Sequence, residues 1–497
     1  MTFRLPVSGW VVGATCAVVL TGACTSLLGS FEEAPAVAVT STSGTGGAAS
    51  SGVGGVGGAG QGGAGGAGGA EPVTVFGCGW ANPSHQPLGK PSNSTVAVES
   101  VHIVSRSSAK ARVVVTEFDL VTSMRSMAIY GPGSSYSAYP KDFEGILDVG
   151  RLGPSSIGIL ISTKNANQVY GVAMLEVPDS PETPAAADVR MTTVVPLTGW
   201  PVDGAPGAMP GKFDGRFVVT DSQVGSWAID YALGYRTGAG AYVATFGHTK
   251  NTAQGSQPFV ITPPGYASTE QDIQLNTRLL HIPAANAPSG KSTTYVYLGN
   301  PSPNSKNAEF AADASTKGFV TPRDLGLAAV VGMMGRPDGF NVALATVGNN
   351  LGVHTYKLPF AKLGNFTLDD VPTTVTLNGF GYIPVGETAV DWFGDVFTLI
   401  GAGQFLNEGV APLKFAFFDA AARERGHGEL PFTGNLEVGT TRLSVNRVSA
   451  TSSDTSGDAL MREFEVAWIE RQKSMMGASF DVVYYDRLKC VASEPNP

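Results

Sequence analysis

The chain has 497 residues, only 15% of them charged, with 64 glycines and a formal net charge of −9. That acidic balance argues against nucleic acid as a partner, and against the folded body binding anionic lipid. Four cysteines and six histidines are few for this length, and neither type clusters at the spacing of a zinc site.

The first 24 residues read MTFRLPVSGWVVGATCAVVLTGAC, with Arg4 as their only charge. A short basic head followed by an apolar run that ends in small residues is a secretory signal, not a spanning helix. No other stretch of the sequence is apolar enough to cross a bilayer. The ending LTGAC, Leu20 to Cys24, resembles the lipobox of bacterial lipoproteins, with Thr21 at the place where that family most often has leucine. The resemblance implies that residues 1–23 are removed and that Cys24 carries a diacylglyceryl thioether and, usually, an N-acyl chain such as palmitate. Each buried methylene contributes about 0.8 kcal/mol, so two or three chains anchor a protein stably. Thr25 is not the aspartate that retains members of the family in an inner membrane. The resemblance therefore places the protein on the outer membrane, on its periplasmic or surface face, held by lipid alone.

No charged residue occurs from Ala34 to Ala70, and much of that run is Gly, Ala and Ser. Such a tract buries too little to offset its ordering entropy, so residues 24–72 are expected to form a flexible, disordered spacer. Its root-mean-square reach is about 35–40 Å, from about 5–6 Å times the square root of the residue number.

From residue 73 to the C-terminus at 497 there is little helical patterning. β-rich runs come in pairs around turn residues instead. TVAVESVHIVS and ARVVVTEF flank Ala109, SIGILIS and VYGVAMLEV flank Asn165, and GRFVVTD and SWAIDYAL flank Val224. TRLLHIP and TTYVYLG flank Pro288, and LAAVVGMM and FNVALATV flank Pro337, where RPDGF has the proline and glycine of a tight turn. DVFTLIGAG and PLKFAFFD flank Leu406, and FEVAWIE and FDVVYYD flank Met475. The steps between these turns are 56, 59, 64, 49, 69 and 69 residues. A regular step of this size marks a radial or solenoidal array, and units of four strands suit propeller blades. The expected fold is all-β: a single β-propeller of seven blades over residues 73–497. Tandem β-sandwiches also produce strand pairs, but no proline-rich linker divides the body.

If the lipobox resemblance removes Cys16 and acylates Cys24, only Cys78 and Cys490 remain, one at each extremity of the body. In an oxidising compartment such a pair reads as a disulfide, the alternative being two buried thiols. A ring of blades must bring its ends together, so VTVFGC is expected to add a strand to the last blade beside FDVVYYD.

Catalytic motifs are absent: there is no HExxH, no GxSxG elbow, and no phosphate-binding glycine loop coupled to a strand. No cofactor and no metal are expected, since DTSGD (Asp454 to Asp458) lacks the alternating ligands of a calcium loop. His102 and His281 fall inside strands and read as structural. Two segments offer candidate binding residues. Asp391 and Trp392 of ETAVDWFGD could meet a sugar by hydrogen bond and stacking, or serve as a loop with a core tryptophan. Arg423, Arg425 and His427 of RERGHGE could grip an anion, or form a solvated loop.

Two functional readings follow. The preferred one is a non-catalytic, membrane-tethered binding or scaffold module, with a protein or glycan at the mouth of the ring. The other is a tethered hydrolase or lyase acting on polysaccharide or peptide, since paired carboxylates need no sequence motif.

Overall fold

A computed structural model describes strands between Phe76 and Ala492 and the turns adjoining them; residues 1–75, 493–497 and many connections lie outside the described residues. The signal, Cys24 and the glycine-rich segment are among those outside it. Within residues 70–497, the described strands form seven separate antiparallel sheets. Six of these take their strands in chain order from the inside outward.

The innermost strands are Val96–Val104, Phe143–Gly153, Phe213–Gln223, Thr277–Ile282, Ala328–Arg336, the interrupted pair Tyr382–Pro384 and Ala389–Val390, and Ser449–Ser452. They define blades 1 to 7. Each innermost strand touches that of the next blade, and Ser449–Ser452 touches Val96–Val104, so the contacts run full circle. The fold is an all-β, seven-bladed β-propeller.

The circle is closed by strand exchange. Blade 7 consists of Ser449–Ser452, Met461–Lys473 and Ser479–Ala492, and its outer strand is Phe76–Trp80 from the other end of the body. Phe76 pairs with Ala492 and Trp80 with Leu488, and between them Cys78 lies directly opposite Cys490. The two are joined by a disulfide across 412 residues of sequence.

Alternate side chains of a strand point to opposite faces. Here both faces are covered by neighbouring blades, which explains why the strands read as continuous apolar runs and not as alternating ones. In ARVVV, Val113 and Val115 pack with Ala467, Ile469 and Val483 of blade 7. Val114, between them, packs with Ile157, Ile159 and Ile161 of blade 2. A third cluster joins Leu160, Val172 and Met174 of blade 2 to Trp227, Ile229 and Leu233 of blade 3. Burying each Val, Leu or Ile contributes about 1.5–3 kcal/mol, so stability resides between the blades.

The turns counted in the sequence do not all join the same two strands of their blades. In blades 1, 3, 4 and 5 the most conspicuous strand pair joins the innermost strand to the second. In blades 2, 6 and 7 it joins the second strand to the third. RERGHGE is a further correction. Residues Glu424–Glu429 are not a solvated loop but the outermost strand of blade 6, paired with Lys414–Phe418. That strand abuts the closing strand Phe76–Trp80 of the neighbouring blade.

Candidate functional site

Among the described residues, several polar side chains lie where one blade meets the next and are paired across that boundary, as burial favours. Asp481 of blade 7 accepts from the Val98 amide at 2.8 Å. Glu465 accepts from the Ala111 amide at 3.2 Å and from the Tyr485 hydroxyl at 2.8 Å. Burial and the neighbouring Glu465 carboxylate raise the pKa of Tyr485 well above the usual phenol range. Fully buried Arg112 donates to the carbonyls of Pro178 and Asp179 at 3.3 and 2.8 Å, tying blade 1 to the end of a blade 2 strand. Asp148 of blade 2 accepts from the Phe217 amide and the Arg216 guanidinium at 2.9 and 3.0 Å. Glu176 accepts from the Trp227 indole and Asn251 at 3.1 and 3.0 Å.

Among the described residues, a chain of side-chain hydrogen bonds crosses from blade 3 to blade 4. In blade 3, Asp230 stands opposite His248 in register; in blade 4, His281 stands opposite Thr294. Cross-strand partners share a face, and these two pairs meet between the blades. His248 Nδ1 lies 2.7 Å from Asp230 Oδ1. The Thr294 hydroxyl donates to Asp230 Oδ2 at 2.5 Å. His281 Nδ1 lies 2.9 Å from Thr294 Oγ1, and Ser292 Oγ lies 3.2 Å from His281 Nε2. Asp230 and Thr294 are buried, while His281 and Ser292 are half-buried.

The hydrogens in this chain are determined by counting. A threonine hydroxyl has one proton, and Thr294 gives it to Asp230. It must therefore accept from His281 Nδ1–H, which leaves Nε2 of the neutral ring as an acceptor for the Ser292 hydroxyl. Burial is the main cause holding the His281 pKa below its ordinary value; Asp230 opposes the shift and His248 adds to it. The neutral imidazole is thus the form the fold favours near pH 7. Beside this chain the Tyr231 ring lies against Gly247, its register partner, where a side chain on the glycine would overlap the ring.

Of the residues singled out in the sequence, Asp391, Trp392 and Arg423 lie outside the described residues. Arg425 and His427 sit on the outermost strand of blade 6, at opposite flanks of Gly426, with His427 opposite Ala416. His281, read from the sequence as a structural strand histidine, lies in the strand Thr277–Ile282. Its hydrogen-bond partners Ser292 and Thr294 lie 11 and 13 positions away, and the Asp230 that Thr294 reaches is 64 positions from that threonine. The signal within reach was STT after the Pro288 turn, which places two hydroxyls on one face of the strand facing RLLHIP. Among the described residues no group of three or more His, Cys, Asp or Glu side chains is placed to hold a metal ion.

No family model matches the sequence. No curated protein matches it either. Solved structures with a similar arrangement include the Dos1 propeller, at 10% identity over 80% of this chain and 95% of that one, with a TM-score of 0.43. The WD40 domain of SCAP from fission yeast is similar at 9% identity over 83% and 98% of the two chains, with a TM-score of 0.37. A subtype N11 neuraminidase-like protein of A/flat-faced bat/Peru/033/2010 (H18N11) is similar at 9% identity over 86% of this chain and 96% of that one, with a TM-score of 0.35.

Proposed function

We propose that this protein is an outer-membrane lipoprotein whose propeller serves as a tethered, non-catalytic binding or scaffold module. Cys24 is the acylated residue in this reading, residues 24–72 are the spacer, and the ring binds a protein or glycan at one mouth. The observation that supports it is the use the ring makes of its carboxylates between blades. Half-buried Asp148 and Glu176 and buried Glu465 and Asp481 all accept hydrogen bonds across blade boundaries, so their charge is spent on rigidity. A rigid ring presents its connections at two ends as variable surfaces, which is where such scaffolds bind.

The test is retention of the purified protein on peptidoglycan, on immobilised glycans and on envelope proteins, with product formation assayed on whatever retains it. Saturable retention without turnover supports the module. Turnover of a retained polysaccharide or peptide at catalytic protein levels would replace it with the hydrolase or lyase reading.

A further inference from the structure

We infer that Ser292 is an activated nucleophile, able to accept the acyl group of a carboxylic ester. The inference is independent of what the mouth of the ring binds. It rests on the order of groups from Ser292 through His281 and Thr294 to Asp230. Ser292 Oγ is 3.2 Å from His281 Nε2, the nitrogen left unprotonated by the donation from Nδ1 to Thr294. Thr294 in turn is fixed by its bond to Asp230 at 2.5 Å. A nucleophile, a base within reach and a third group orienting the base are the parts of an acyl-transfer site, recognised by roles and not by position in the chain. Here a threonine hydroxyl is interposed between the imidazole and the carboxylate.

A purely structural clamp would not need the Ser292 end. Asp230, His248, Thr294 and His281 already join blade 3 to blade 4, and Ser292 adds a hydroxyl beyond His281, both of them half-buried. The tautomer is also the useful one: the lone pair on Nε2 faces the hydroxyl that would lose its proton.

The step balances as follows. Ser292 Oγ attacks the ester carbonyl carbon and its proton passes to His281 Nε2. The tetrahedral adduct collapses, the carbon–oxygen bond to the leaving alkoxide or phenoxide breaks, and that oxygen takes the proton back from His281. The products are an ester on Ser292 and a free alcohol or phenol. Ser292 and His281 are the reacting groups; Thr294 and Asp230 are positioning residues.

The probe is p-nitrophenyl acetate, applied to the full-length protein, with release of p-nitrophenol followed by absorbance and the acetylated peptide located by mass spectrometry. The expected result is a stoichiometric burst and an acetyl group on Ser292. Ser292→Ala should abolish the adduct, and His281→Gln should slow its formation by about 100-fold, the low end of general-base contributions. Thr294→Val should slow acetylation and Thr294→Ser restore it, which a role in packing alone would not produce. The rate should rise with pH and level off by the ordinary imidazole value of 6.5, because His281 is neutral from below that point. Circular dichroism of each variant separates loss of fold from loss of reactivity. In the wild-type protein, acetylation confined to lysines, or acetylation of Ser292 at the rate seen after urea denaturation, overturns the inference.

Discussion

Gly426, on the outer strand of blade 6, lies against the sulfur of Cys78 on the strand that closes blade 7. A Cβ built on Gly426 would stand 3.2 Å from Cys78 Sγ and 3.3 Å from the Phe76 carbonyl oxygen. Neither neighbour can swing away, since the sulfur is held in the disulfide and the carbonyl belongs to a paired strand. Gly426→Val should therefore destabilise the ring by about 1–3 kcal/mol, the usual cost of overpacking. The check is the urea midpoint, with greater protease cleavage near residue 80 as the local sign. An unchanged midpoint would mean that the two strands are not in contact.

Glu465 joins blade 7 to blade 1 through the Ala111 amide, and it also receives the Tyr485 hydroxyl. Truncating it to alanine leaves the buried Ala111 amide and the half-buried Tyr485 hydroxyl without their acceptor, at about 1–3 kcal/mol for a buried group. Glu465→Ala should lower the chemical-denaturation midpoint more than Tyr485→Phe, which frees no buried donor. The reverse order would remove Glu465 from the role assigned to it.

Stability should depend on pH through His281. Its folded pKa lies below the unfolded value of 6.5, chiefly because of burial, so between the two values the unfolded chain binds more protons. The sign follows directly: this contribution is fully present above pH 6.5 and is lost as pH falls through the folded value. Urea midpoints of the wild type and His281→Asn should converge on going from about pH 7.5 to about pH 5. Parallel curves would show that His281 does not titrate differently on folding.

The tether is tested separately. Under the proposed lipobox reading, replacing Cys24 with serine removes the thiol that would carry the lipid, so the protein should move from the membrane fraction to the soluble one. Continued membrane association of Cys24→Ser would remove the lipobox from the account and leave the ring untouched.

The repeat was legible because each blade buries both faces, which turns its central strands into dense apolar runs such as ARVVV and SIGILIS. The closure was legible because only two cysteines frame the body. What remained hidden was the pairing across blades. Asp481 and the Val98 amide are 383 positions apart, and nothing local to either announces the other. The same holds for Asp230 and Thr294, 64 positions apart, so His281 reads as an isolated strand histidine until the register is known. RERGHGE misled for a different reason: charge density marks solvent exposure, but Gly426 lets that strand approach the closing strand closely.

Non-reducing peptide mapping tests most directly whether the body is one ring fastened at its seam. Proteolysis of the native, alkylated protein should yield a single crosslinked species joining the peptide that contains Cys78 to the one that contains Cys490, and reduction should separate them. Alkylation of both sulfurs without prior reduction, or either sulfur bound to another partner, would contradict the seam placed between Phe76–Trp80 and Ser479–Ala492.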